Sequence, residues 1–421
     1  MIIISIALFF LLLVLLLRLK IPFAAAILFV GLLLGWRFGL DLDGMMRAAF
    51  RTLQQADTLT IIGTVGLVLV FSELLSQSGH LTTVSGLSII IFGPHRATLL
   101  ILPALIGLLP MPGGALVSAP MLDEAANQTP MTPDKKTLLN YWFRHIWEYA
   151  WPLYPGLMLA AGLAKVSLFT FSVLLAPVAV VAIAVGVCFI FPGIVVSTTT
   201  TIDRSARTIA RFVYYLLPIG LIVILFLIVQ LPIWLCMLIS VLWVMLDSLV
   251  TRKLSPGRLF RVSFGSWRTY EMVLVVASVL VFVGILCAST LTGDLVSFFQ
   301  GAPGTTLPLW YNLVAIILFP FIIGLLTGLT LAFVGTTFPI ILSTFIPPAS
   351  VGVLPFVFLA YTAGLAGVML SPAHLCLILT NQYFGSSLRK VYYYLIPIVL
   401  IVLLCALVLF WGYLKFPGYP L

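Results

Sequence analysis

The sequence predicts an all-α polytopic membrane protein with two inverted five-span repeats, each carrying a re-entrant hairpin and a broken helix. Composition is the first indication, because 62% of the 421 residues are hydrophobic and only 8% are charged. A soluble domain carries about 25% charged residues. Apolar runs of membrane-spanning length are the second. The third is that runs and interruptions follow the same order in both halves.

The first half contains five predicted spans and one interrupted run that we interpret as a hairpin. The spans lie at residues 2–17, 22–36, 59–75, 138–163 and 168–191, and the hairpin at 97–126. A polar segment occupies 37–57, and the connector 77–96 holds an interfacial or arm helix at 82–92. The fourth span is interrupted by WPLYPG at 151–156 and the hairpin by LPMPGGALVSAP at 109–120. Proline and glycine both disfavour helix, so these two runs are predicted to open inside the membrane.

The second half repeats this order. Its spans lie at 212–229, 232–246, 272–289, 355–379 and 391–411, with a connector at 293–309 and a hairpin at 311–345. The hairpin is interrupted by TGLT at 327–330 and GTTFP at 335–339, and the fourth span by SPAH at 371–374. The predicted organisation is repeat 1 (1–192, with scaffold spans at 1–80 and hairpin and transport spans at 97–192), a cytoplasmic link (193–210) and repeat 2 (211–421, with scaffold spans at 211–292 and hairpin and transport spans at 311–421).

An ordered series of matches supports the repeat. Pro22 corresponds to Pro232, an offset of 210, and Pro152 corresponds to Pro372, an offset of 220. Between them, Pro103 and Gly107 correspond to Pro320 and Gly324. The offset grows in one direction, as loop insertions would produce, so the interruptions are predicted to be equivalent in the two halves.

Basic residues indicate an inverted arrangement. Five spans and a hairpin per half place the two halves in opposite orientations. With both termini outside, the cytoplasmic loops hold 15 Lys and Arg residues and the outer side holds five, namely Arg37, Arg47, Arg51, Lys165 and Lys415. Such a bias follows the positive-inside rule, and it accounts for the net charge of +9 without a nucleic-acid partner.

Several function classes are excluded by what the sequence lacks. No phosphate-binding Gly-Lys-Ser/Thr loop and no catalytic constellation is recognised, so the protein is not expected to be an enzyme. The five cysteines are Cys188, Cys236, Cys287, Cys376 and Cys405, all in apolar runs without metal-ligand spacing. They are interpreted as small buried residues, and neither a metal nor another cofactor is predicted.

The interruptions predict a binding site. A helix that stops inside the membrane exposes N–H groups at one end and C=O groups at the other, and the N-terminal end favours an anion. The alternative is that Pro and Gly only kink tightly packed spans. The predicted substrate-binding residues are Pro110, Met111, Pro112, Gly113, Gly114, Ser118, Pro152, Tyr154, Pro155, Thr327, Gly328, Thr330, Thr336, Thr337, Ser371 and Pro372.

Four ionisable residues inside predicted spans are candidates for ion coupling: Arg144, His145, Glu148 and His374. Intramembrane ionisable residues usually serve function. Arg144 and Glu148 are four residues apart and can pair on one helix face, so one interpretation is a structural ion pair. The other is that Glu148 carries a proton or that Arg144 meets an anion. His374 is either a packing residue or a proton carrier.

These motifs resemble the ion-transporter superfamily, which includes gluconate permeases, TRAP large membrane subunits, divalent anion/sodium symporters and arsenite permeases. LPMPGGALVSAP at 109–120 with NYWFRHIWE at 140–148 is similar to a prokaryotic integral membrane family within it. The resemblance implies a substrate site between two hairpin tips and two broken helices, and an elevator motion of that unit against a scaffold. The Ser-Asn-Thr tip signatures of the divalent anion/sodium symporters are missing here.

The sequence is therefore expected to encode a secondary transporter for a small carboxylate or inorganic oxyanion, coupled to H⁺ or Na⁺. It would reside in the cytoplasmic membrane of a prokaryote, in contact with lipid. A homodimer is expected because elevator transporters need a fixed scaffold. Two alternatives stay open, a cation/proton antiporter that uses Glu148 and His374, and a non-transporting membrane scaffold component.

Overall fold

The computed structural model describes residues 2–93, 96–111, 114–126, 129–194, 202–300, 308–346 and 352–415. Within these ranges all regular secondary structure is helical. Seven of the described helices are long and apolar enough to cross a membrane. The prediction of an all-helical, multi-pass membrane protein is confirmed at this level.

Residues up to 194 form ten α-helices. They are α1 (Ile2–Arg18), α2 (Phe23–Arg37), α3 (Leu42–Gln54), α4 (Ala56–Gln77), α5 (His80–Phe92), α6 (Arg96–Gly107), α7 (Ala115–Ala125), α8 (Pro133–His145), α9 (Pro155–Ala164) and α10 (Leu168–Ile190). A 3₁₀ turn, Ile146–Tyr149, follows α8.

Residues from 202 onward form ten more. They are α11 (Ala206–Val223), α12 (Ile233–Val250), α13 (Pro256–Phe264), α14 (Trp267–Ala288), α15 (Leu291–Gln300), α16 (Leu309–Thr327), α17 (Thr330–Thr344), α18 (Leu354–Met369), α19 (Leu375–Phe384) and α20 (Leu388–Lys415). A π-helical turn, Ile224–Ile228, continues α11.

Three of these helices are absent from the sequence prediction. α3 lies in the predicted polar segment, α13 precedes a predicted span, and α15 overlaps a predicted connector. In α3, Met45, Ala48 and Thr52 are buried, whereas Arg47 and Arg51 are exposed. α3 packs against α14, and α13 packs against α4. Charged residues on the exposed face lower the average hydropathy, so a search for apolar runs overlooks such amphipathic helices.

The interruptions fall at the predicted helix-breaking residues, except that α8 already ends before its predicted break. α6 ends at Gly107 and α7 begins only at Ala115, and α8 ends at His145, earlier than the predicted break at 151. α16 ends at Thr327 and is followed by Gly328, whose φ of +66° lies in the left-handed region that favours glycine. The predicted second interruption at 335–339 is wrong, because α17 continues through Gly335 and Pro339. A Cβ at Gly335 would collide with Val279 of α14, so its role there is close packing.

Contacts between the halves come in matched pairs. α2 packs on α14 as α12 packs on α4, and α9 packs on α17 as α19 packs on α7. Within each half, a glycine permits close approach of backbones: a Cβ at Gly107 would collide with the carbonyl of Arg144, and one at Gly324 with the carbonyl of Gly364. Gly107 and Gly324 are the pair that the sequence offsets match.

Candidate functional site

Four interrupted helices meet at one place. We name the interruptions 1 (108–114, between α6 and α7), 2 (146–154, between α8 and α9), 3 (328–329, between α16 and α17) and 4 (370–374, between α18 and α19). Interruptions 1 and 2 are joined by Trp151, whose Nε1 donates to Leu108 O at 2.9 Å, and by Tyr154, whose Oη donates to Gly107 O at 2.5 Å. Interruptions 3 and 4 touch directly, because a Cβ at Gly328 would lie 2.8 Å from His374 N.

Contacts also join the two pairs. Thr330, the first residue of α17, donates its Oγ1 to Glu148 Oε2 at 3.1 Å, which links interruption 3 to interruption 2. Tyr141 of α8 donates its Oη to Met369 O at 3.0 Å, at the edge of interruption 4. The imidazoles of His145 and His374 lie with ring centroids 4.8 Å apart. The protein therefore brings all four interruptions into one connected region.

Five ionisable or thiol side chains form a buried cluster in this region. They are Arg144, His145, Glu148, His374 and Cys376, with exposed fractions between 1% and 8%. The first three come from α8 and its 3₁₀ turn, and the last two from interruption 4 and α19. Because buried charges are expensive in a membrane, such a cluster is a functional-site candidate.

Arg144 lies at the centre of this cluster. Its Nη2 donates to Met111 O at 3.0 Å, and its Nη1 is 3.2 Å from His145 Nε2 and 3.3 Å from Cys376 Sγ. Its Nε is buried and has no hydrogen-bond partner among the described residues. A Cβ at Gly114 would collide with the guanidinium. Arg144 thus joins interruption 1 to α19 and retains one unused donor.

The two histidines both use Nδ1 toward backbone carbonyls. His145 Nδ1 lies 2.5 Å from Tyr141 O, and His374 Nδ1 lies 3.2 Å from Val368 O and 3.2 Å from the Tyr141 hydroxyl. A carbonyl oxygen only accepts, so both Nδ1 atoms carry the proton. In this neutral tautomer Nε2 is an acceptor, and that of His145 accepts from Arg144 Nη1 at 3.2 Å.

Glu148 connects the cluster to the second half. Its Oε2 accepts the hydrogen bond from Thr330, and its Oε1 lies 3.9 Å from His145 Nε2. Its backbone carbonyl accepts a hydrogen bond from Tyr361 Oη at 2.9 Å. The ion pair that is one interpretation of Arg144 and Glu148 is not among the described contacts. Arg144 bonds to Met111 O and Cys376, while Glu148 bonds to Thr330.

Several predicted binding residues lie at the interruptions or inside the helices that follow them, and their polar atoms bond elsewhere. Four hydroxyls each donate to the backbone carbonyl four residues earlier. The pairs are Ser118 with Gly114 O (3.3 Å), Thr327 with Ile323 O (2.7 Å), Thr336 with Ala332 O (2.7 Å) and Thr337 with Phe333 O (2.7 Å). Ser371 Oγ accepts from Ala373 N at 3.2 Å. Four of the predicted prolines lie in or beside the interruptions: Pro110, Pro152, Pro155 and Pro372. Pro112 and Gly113 lie outside the described residues. Thr330 is the predicted hydroxyl that reaches the cluster.

Two members of the region were overlooked in the sequence. Cys376 was interpreted as a small buried residue, yet its thiol contacts Arg144. Tyr141 was not singled out, yet its hydroxyl contacts both Met369 O and His374. The available signal for Cys376 was its place two residues after His374, at the start of the helix that follows a break.

A second buried polar group lies away from this region. His80 Nε2 is 3.4 Å from Asp247 Oδ2, and Lys253 Nζ is 2.8 Å from the same oxygen. Ser78 and Tyr214 hydrogen-bond to His80 and Asp247, respectively. Its members are mutually paired and tie the start of α5 to the end of α12, which indicates a structural role.

Comparison with known proteins gives a family and no function. No curated protein matches the chain. The family described as "Protein of unknown function (DUF401)" matches residues 3–411, which is nearly the whole length. The chain therefore belongs to the DUF401 family.

Proposed function

We propose that this protein is a secondary active transporter that carries a small carboxylate or inorganic oxyanion across the cytoplasmic membrane of a prokaryote. Coupling to H⁺ or Na⁺ drives the transport. The superfamily resemblance provides the expectation, and the buried cluster provides its physical support.

The observation that carries the proposal is Arg144. A guanidinium buried where four helix interruptions meet is costly unless it has a partner. Its Nε retains an unused donor, and one of its bonds goes to the neutral carbonyl of Met111. A planar guanidinium pairs well with carboxylates and oxyanions. An anion that reached this position would supply the missing opposite charge.

The helix ends support the same assignment. α7, α9, α17 and α19 begin at the four interruptions, and none has a side-chain N-cap hydrogen bond. Helices that begin elsewhere are mixed in this respect, since α8 and α10 are capped by Thr132 and Ser167 whereas α2, α4 and α12 have no side-chain cap. Uncapped N-termini leave N–H groups and a partial positive charge available to an anion.

We further propose that the two halves are inverted repeats with re-entrant hairpins α6–α7 and α16–α17. α6 and α7 have 12 and 11 residues, so they are about 18 and 16 Å long at 1.5 Å per residue. Neither reaches across a hydrocarbon core of about 30 Å. The matched contacts between the halves and the 15-to-5 distribution of basic residues support the inverted arrangement.

We also propose an elevator mechanism, which the superfamily resemblance implies. The scaffold would be the first three spans of each half, and the moving unit would be each hairpin with the two spans that follow it. The cluster lies on α8, its 3₁₀ turn, interruption 4 and α19, all of which belong to the proposed moving unit. A bound anion would therefore travel with all of its ligands. A homodimer would hold the scaffold fixed.

Ligand binding and uptake by Arg144 variants test this proposal. Purified protein is screened with carboxylates and oxyanions for ligands that raise the unfolding temperature, because a ligand of the native state must stabilise it. Arg144→Gln should abolish that shift and reduce uptake into proteoliposomes at least tenfold. Arg47→Gln is the matched control, since the Arg47 side chain is 61% exposed and forms an ion pair with Asp43. Wild-type uptake by Arg144→Gln would refute the assignment.

A cation/proton antiporter is the second candidate, and Glu148 favours it. This buried carboxylate bonds a neutral hydroxyl, that of Thr330, and lies 3.9 Å from a histidine. Glu148→Gln should flatten the pH dependence of transport if Glu148 carries the proton. Cation-driven proton flux in proteoliposomes without any organic or inorganic substrate anion would favour the antiporter over the anion transporter.

A further inference from the structure

We propose that His145, His374 and Cys376 form a binding site for one thiophilic metal ion of the Zn²⁺ class, and that Arg144 competes with this ion for the same donor atoms. The proposal goes beyond anion transport and does not depend on it.

The geometry brings three metal-ligand atoms together from two distant parts of the chain. One ring nitrogen of each histidine and the Cys376 Sγ all lie within 4.8 Å of one another. Zinc binds nitrogen at about 2.0–2.1 Å and sulfur at about 2.3 Å, and tetrahedral ligands are then roughly 3.4–3.8 Å apart. The donors therefore need to approach one another by up to about 1.4 Å to hold an ion.

The hydrogen bonds of the histidines independently point to a metal. Metal-ligating imidazoles usually donate the other ring N–H to a carbonyl or carboxylate, which fixes the ring and the tautomer. His145 Nδ1 donates to Tyr141 O, and His374 Nδ1 donates to Val368 O. In this tautomer each Nε2 carries the lone pair that could coordinate a metal, and that of His145 faces Arg144 Nη1 at 3.2 Å. The Nδ1–H of each ring is held by a backbone carbonyl.

The donor set selects the class of ion. Two imidazoles and one thiol suit Zn²⁺, Cd²⁺, Co²⁺ or Cu⁺ and disfavour Mg²⁺ or Ca²⁺, which prefer oxygen ligands. Three protein ligands leave one coordination position open. Glu148 is near enough to contribute, with its Oε1 3.9 Å from His145 Nε2.

Arg144 determines when the site is open. Its Nη1 lies within 3.3 Å of both His145 Nε2 and Cys376 Sγ, so it occupies the space in front of two of the three donors. A metal ion and the guanidinium cannot share these atoms, because both are cations. Metal binding must therefore displace the guanidinium, which also bonds to Met111 O at interruption 1.

The test is Co²⁺ titration of the purified full-length protein, read by ligand-field bands and by thiolate-to-cobalt charge transfer. The Arg144→Met variant should bind Co²⁺ at least tenfold more tightly than wild type, with a charge-transfer band in both, and Zn²⁺ should displace the Co²⁺. His80→Gln and Cys188→Ser are matched controls and should leave the spectrum unchanged, because neither residue belongs to the cluster.

Cys376→Ser should remove the charge-transfer band. His145→Gln, which keeps the thiol, should weaken Co²⁺ binding by roughly 100-fold or more, since loss of an outer-shell partner alone costs about 10–100-fold. If Cys376→Ser does not fold, His145→Gln alone decides the question. Any of three results would overturn the proposal. They are a charge-transfer band that survives Cys376→Ser, the absence of this band in Arg144→Met, and an unchanged Co²⁺ affinity in either Arg144→Met or His145→Gln. Anion uptake does not enter these readings, so failure here leaves the transport proposal standing.

Discussion

The effect of the contact between interruptions 3 and 4 on the free energy of unfolding can be measured by comparing two glycines. Gly328 and Gly385 both end helices in the left-handed region, with φ of +66° and +62°. They differ in their surroundings, since a Cβ at Gly328 would lie 2.8 Å from His374 N and 3.0 Å from the Ala373 carbonyl carbon, whereas a Cβ at Gly385 would meet nothing within 4 Å. Alanine at each position therefore separates backbone strain from contact between the two interruptions.

The expected losses follow from these surroundings. A left-handed conformation costs an L-residue about 1–2 kcal/mol, so Gly385→Ala should lower the free energy of unfolding by about 1–2 kcal/mol. Overpacking adds roughly 1–3 kcal/mol, and the neighbours of Gly328 are backbone atoms that cannot rotate away. Gly328→Ala should therefore lose about 2–5 kcal/mol.

Reversible unfolding in mixed detergent micelles measures both variants under the same conditions. The informative quantity is the difference between them, about 1–3 kcal/mol, because the strain is common to both. Equal losses would show that interruptions 3 and 4 do not press against each other. Gly328→Ala should also weaken the stabilisation by any anion found in the thermal screen, while Gly385→Ala should preserve it.

Three further substitutions examine the site and its frame. Gly114→Ala should push the Arg144 guanidinium aside and weaken anion binding at least tenfold by thermal titration, with little effect on stability because a flexible side chain can yield; unchanged binding would contradict this. Gly107→Ala and Gly324→Ala should each destabilise the protein by roughly 1–3 kcal/mol in unfolding assays, since each Cβ meets a carbonyl of the facing helix. A loss at one of the two positions alone would count against equivalent halves.

Much of the fold was predictable because its determinants are local. Apolar runs marked the long helices, and Pro and Gly clusters marked the interruptions. The same reasoning overlooked α3 and α13, whose exposed charged residues mask an apolar stripe, and α15, which overlaps a stretch that Gly and Pro mark as a connector. It also assigned an interruption to Gly335 and Pro339, where α17 continues. A proline in a membrane helix is tolerated when neighbouring helices satisfy or cover the freed backbone groups, and the sequence does not show the neighbours.

The site was predictable only in part, for a related reason. Arg144 and His374 stood out because ionisable residues are rare in apolar spans. The contact of Cys376 with Arg144 could not be predicted, because the two residues lie 232 positions apart in the chain. Thr336 and Thr337 looked suitable for a ligand, but in the structure their hydroxyls bond to carbonyls four residues earlier, a local option open to any helical threonine.

The crossed packing of α7 with α19 and of α9 with α17 has a consequence for biogenesis. Each half completes its packing only when the other is present. At roughly 5–20 residues per second, the ribosome needs about 10–40 s to synthesise the second half after the first has emerged. During that interval Arg144, with no Cys376 to contact, is in the membrane or at its surface. We expect the first half to remain beside the insertion machinery or to bind a chaperone until α17 and α19 arrive.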